Sequence, residues 1–66
     1  MATRAEYLLA DHIQRRAPGF ATSLFNTIML ADSTNLAKLE LGFPEEVAVV
    51  RRYREEPAFA DYLYLL

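Results

Sequence analysis

FATSLFNTIMLADSTNLAKLEL, residues 20–41, can be wound in two ways that lead to different folds. Wound as one helix at about 100° per residue, it gathers Phe20, Leu24, Phe25, Ile28, Met29, Ala31, Leu36 and Leu39 into one continuous apolar arc. Asp32 and Asn35 fall inside that arc. Burying a carboxylate and an amide costs several kcal/mol each unless both find partners. A second reading breaks the helix at ADSTN, with Asp32 or Ser33 as the N-cap of a new one. A break normally lets later apolar positions drift out of register, yet Leu36 and Leu39 keep the phase of Leu24, Phe25 and Ile28. The phase therefore favours one long helix over about residues 20–41.

Upstream, Thr3 and Glu6 have capping-box spacing, so a first helix begins near Arg4. It presents Ala5, Leu8, Leu9, His12, Ile13 and Arg16 on one side, and Pro18-Gly19 is expected to end it. Gly42 is placed as a left-handed C-terminal residue for the long helix. Pro44-Glu45-Glu46 then restarts the chain, with proline in the first turn and acids at the positive end of the dipole. That helix runs to about Glu55 and buries Phe43, Val47 and Val50, with Arg54 at the end of the stripe. Pro57 opens a last short helix whose Phe59, Tyr62, Leu63 and Leu66 share a face. The expected fold is all-α: a single small domain over residues 1–66, a bundle of three to four helices around one long central helix.

A chain of 66 residues is near the size at which one core supplies only about 3–5 kcal/mol. With no cysteine and one histidine, disulfides and structural metal are not available to it, which leaves self-association or close helix packing. An apolar content of 53% with 24% charged residues describes a folded domain rather than a disordered tail. No apolar run approaches the roughly 18 residues of a membrane span, and the charges in MATRAEYLLADHIQRR interrupt any secretory core. A cytoplasmic location is expected.

Each amphipathic stripe carries a polar intruder: His12 and Arg16 in the first helix, Asp32 and Asn35 in the second, Arg54 in the third. If they converge, an arginine offsets the desolvation of Asp32 through charge-assisted hydrogen bonds. Such a cluster is read first as a buried registry device that fixes helix order or subunit register. Two other readings stay open. In one the same groups, with Arg51, form a ligand or interface site for an anionic molecule; in the other Asp32 is a helix cap.

Catalysis is not expected. His12 lacks an orienting carboxylate or further metal ligands at a suitable spacing, no serine or threonine has a nucleophile signature, and there is no glycine-rich phosphate loop. No cofactor or metal is called for. Arg51-Arg52-Tyr53-Arg54 mixes charge with an aromatic, as nucleic-acid binders do, but Glu45, Glu46, Glu55 and Glu56 flank it. With a net charge of −2 the salt-bridged face is the better reading, and nucleic acid is not the expected partner. Leu30 and Leu41 lie opposite the main arc, and Tyr64 and Leu65 lie off the last stripe. On so small a chain they point to a second buried surface, hence a homo-oligomer or a face for another protein.

The segment FATSLFNTIMLADSTNLAKLELGFPEEVAVVRRY resembles short helical proteins of bacteriophages and other bacterial mobile elements, in which an apolar helix precedes AD, two residues and N, then a leucine and FPE with a valine. Here the pattern falls on Ala31, Asp32, Asn35, Leu39, Phe43, Pro44, Glu45 and Val47. The resemblance implies roles typical of small phage proteins in the cytoplasm of a bacterial host. These are docking on and inhibiting a host protein, or sequestering an anionic, nucleotide-like signalling molecule in an oligomer. The first of these, a self-associating non-catalytic binding protein, is the leading expectation.

Overall fold

The computed structural model describes residues 1–16 and 19–66, so the expected stop at Pro18 lies outside the described residues. All regular structure among them is helical: α1 Arg4–Ile13, α2 Gly19–Leu30, α3 Ser33–Gly42, α4 Pro44–Glu55 and α5 Pro57–Tyr64. The all-α class holds, with five helices in place of three or four. No helix is long and apolar enough to cross a membrane among the described residues.

The expected long central helix is not formed. It divides at Ala31-Asp32 into α2 and α3. Asp32 is extended, with φ −73° and ψ 176°, and its carboxylate accepts the Asn35 backbone N–H at 2.8 Å. This N-cap satisfies one of the free donors of α3 and keeps both polar side chains exposed. A continuous helix would have carried the carboxylate toward the apolar arc at a desolvation cost of several kcal/mol. Breaking the helix removes that cost. Leu36 and Leu39 keep their phase because the restarted helix leans toward the same core, where both are partly buried.

The other boundaries follow local chemistry. Thr3 and Glu6 close the capping box of α1, the threonine oxygen accepting the Glu6 N–H at 3.2 Å and Glu6 accepting the Thr3 N–H at 2.8 Å. α1 stops at Ile13, earlier than the sequence suggests, so Arg16 lies beyond the helix. Its last carbonyls are closed by Arg15 N–H to His12 at 3.1 Å and Arg16 N–H to Asp11 at 2.6 Å, the double bond of a Schellman motif. Gly42 is not a left-handed cap either. It is the last residue of α3, and Phe43 serves both as the C-cap of α3 and as the residue before Pro44 of α4.

Leu9, Ala10, Leu24, Phe25, Ile28, Val47, Val50, Phe59 and Leu63 form the buried cluster, drawn from every helix except α3. α4 is the hub. It packs on α1, α2, α3 and α5, while α5 closes the bundle against α1 and α4. Gln14 ties that closure by donating its amide to the Leu63 carbonyl at 2.9 Å.

Candidate functional site

The polar intruders do not form one cluster. Asp32 is occupied as a cap, and Asn35 lies on the exposed surface of α3. Arg16 reaches Asp11 at 3.0 Å and Gln14 at 2.8 Å. Arg51 pairs across helices with Glu40 of α3, and Arg54 donates to the Met29 carbonyl in the last turn of α2. That contact covers a carbonyl which the broken helix leaves without a following turn. Among the described residues there is no buried polar or charged residue, so nothing here acts as a buried registry pair. Of the acids flanking the arginine-rich strip only Glu56 pairs with it among the described residues, 3.2 Å from Arg52; the other acids come from elsewhere in the fold, Glu6 at 3.7 Å from Arg52 and Glu40 against Arg51, and Arg52 also lies 4.2 Å over the Phe59 ring.

Separate hollows stand in place of the expected cluster. The first lies where the chain turns from α2 into α3, a cleft of about 490 Å³ whose apolar lining includes Leu30, Ala31, Leu39 and Phe43, with Asn35 and Lys38 supplying polar groups. Leu30 is 86% exposed, and Leu41 on the same short helix as Leu39 is 88% exposed. Phe43 also lines a second apolar hollow with Phe20, Leu8 and Ala21, and the Phe20 and Phe43 rings approach to 6.1 Å. The apolar surface thus continues from one hollow to the next through Phe43. Phe20, expected in the core, is 69% exposed. Phe20 stands in the first turn of α2, ahead of the buried positions Leu24, Phe25 and Ile28.

The second concavity, of about 570 Å³, is polar and brings together α1, α2, α4 and the end of α5. His12, Arg15, Thr22, Asn26, Tyr53 and Tyr64 contribute to it, with Ile13 and Met29 as apolar lining. His12 stacks on Phe25 with ring centroids 5.6 Å apart, and its Nδ1 is buried without a hydrogen-bond partner among the described residues. Such an orphan is uncommon in folded proteins. Burial raises the Tyr53 phenol above its usual value of 10.0, and the hydrogen bond and charge of the neighbouring Tyr64 push in the same direction. Of the candidate site residues named from the sequence, only His12 belongs to this cleft; Tyr53 and Tyr64 stand out in the sequence for other reasons, as part of the arginine strip and of the apolar tail. Thr22, Asn26 and Met29 form a strip along α2 beside its buried face, a spacing the sequence does contain. Arg15 carries no such signal, because only the early end of α1 brings it there.

No cluster of histidine, aspartate and glutamate suited to a metal ion is present among the described residues. No protein-family profile, curated protein or solved structure matches this chain.

Proposed function

We propose that this chain is a small non-catalytic binding protein of the phage or mobile-element kind, which self-associates and docks on a host protein through the apolar surface at the α2–α3 turn. The observation that carries the reading is the cleft there, lined by Leu30, Ala31, Leu39 and Phe43 and continued by Phe20. Covering a leucine side chain as open as Leu30 contributes about 1.5–3 kcal/mol, and Phe20 in the adjoining hollow is also exposed. The concavity is suited to an amphipathic helix laid into a groove. Pairing of Arg51 with Glu40 braces α3 against α4 and holds one wall of the cleft in place.

The competing role, sequestration of an anionic ligand by Asp32, Asn35 and the arginines, has less support. Asp32, Arg16, Arg51 and Arg54 each have another partner.

Light scattering over a range of concentrations, on the natural chain and on Leu30→Glu, tests the docking reading. The natural chain is expected to exceed its 7.6 kDa monomer mass and to capture a partner from bacterial lysate, and the variant to do neither while keeping its helical circular dichroism. A natural chain that stays monomeric and captures nothing that the variant fails to capture would sink the proposal.

A further inference from the structure

The polar cleft at the α1–α2 end has a feature that packing does not explain. Arg15 sits at φ 60°, in the left-handed region. It occupies the position after the α1 C-cap where a Schellman motif ordinarily places glycine, because a Cβ there crowds the backbone. The same motif with glycine would close α1 without that strain. Arg15 nonetheless makes no ion pair or hydrogen bond through its side chain among the described residues, although Arg16 beside it is fully engaged with Asp11 and Gln14. A strained, unpaired arginine on the wall of a concavity is the kind of outlier from which a functional hypothesis properly starts.

The surroundings select a ligand class. Arg15 supplies a permanent positive charge and a planar fork of donors suited to a carboxylate or phosphate. Asn26 adds an amide, Tyr53 and Tyr64 add a pair of phenols, and no carboxylate contributes to the lining among the described residues. Thr22 belongs to the first turn of α2, where the helix dipole is positive. Ile13 and Met29 give an apolar wall against which a ring can lie. The volume of about 570 Å³ falls within the roughly 300–1,000 Å³ typical of small-molecule sites.

We infer that this cleft is a binding site for a small organic anion, an oxyanion joined to a ring, with Arg15 holding the oxyanion and Asn26, Tyr53 and Tyr64 contacting the body. The site is separate from the apolar α2–α3 cleft, and its test does not depend on whether that cleft docks a protein.

Three probes define the class: AMP as a ring-bearing phosphate, benzoate as a ring-bearing carboxylate, and inorganic phosphate as the oxyanion alone. His12 is the sole histidine and lines the cleft, so its imidazole signals in NMR report occupancy directly. AMP or benzoate is expected to shift those signals saturably, and more tightly than phosphate; which of the two binds identifies the oxyanion. Arg15→Gly is expected to weaken that binding at least tenfold while leaving the melting temperature unchanged or raised. Asn26→Leu, at an exposed position, is expected to weaken it at least threefold. The inference is overturned if no probe saturates, if phosphate binds as tightly as both ring compounds, or if Arg15→Gly or Asn26→Leu binds like the natural chain. A lowered melting temperature for the glycine variant would also overturn it, by making Arg15 a structural residue.

Discussion

α3 and α4 are joined through a single residue, Phe43, and have similar lengths, yet they are held in opposite ways. α4 buries Val47 and Val50 and contacts every other helix, while α3 buries no residue fully and packs mainly on α4. α4 owes its place to the shared core. α3 owes its place to local devices: the Asp32 cap, the half-buried Leu36 and Leu39, and the Glu40–Arg51 pair. A helix attached in this way can present a binding surface, because its apolar residues are not all consumed by folding.

Core truncation should expose the difference most strongly. Phe25→Ala removes a fully buried ring and should cost about 3–5 kcal/mol, read by urea unfolding, whereas Leu36→Ala on α3 should cost well under half as much. Equal losses would mean that α3 belongs to the core after all. Asp32→Ala should cost about 1 kcal/mol, the worth of an N-cap, with helix loss confined to residues 33–42. A loss of 3 kcal/mol or more would instead mark a carboxylate supporting a buried partner. Glu40→Gln breaks an exposed ion pair and should change stability by less than about 1 kcal/mol, while amide exchange in α3 speeds up relative to α4.

The smallest expected effect concerns the anchored side. The Tyr53 phenol, on α4, is held above its usual value chiefly by burial and secondarily by Tyr64. A phenol raised in the folded state contributes stability that is complete below its unfolded pKa near 10 and is lost as pH rises through the folded value. Tyrosinate absorbance should therefore show a late-titrating group, and Tyr64→Phe should bring it partway back toward the ordinary range. An unchanged titration would leave burial as the sole cause.

These contrasts also explain what was legible in the sequence. The capping box at Thr3–Glu6, the Pro44 and Pro57 helix starts, and the buried Val47, Val50, Phe59 and Leu63 follow from spacing and from proline and acid placement. These are local signals, and local structure obeyed them. The phase argument across Ala31-Asp32 failed because hydrophobic phase records which side a residue faces, and two helices bent toward one core can share it. Polarity carried the better information, since a carboxylate in an apolar arc is most cheaply accommodated by ending the helix there. The candidate site was hidden for a different reason. His12 was singled out, but its neighbours Arg15, Asn26, Tyr53 and Tyr64 come from four separate segments, and periodicity within one segment cannot show their meeting.

The bond from Gln14 to the Leu63 carbonyl joins residues 49 apart, and α5 rests on α1. The order of events during folding follows from this. Helices α1, α2 and α4 cannot finish their common core until the last segment of chain is present, so Phe59 and Leu63 act as a closing step rather than as an appended helix. Until then the cluster that Leu9 and Val50 share with Phe59 and Leu63 is incomplete, and an interrupted chain ending before Phe59 would offer apolar surface to aggregation or to proteases.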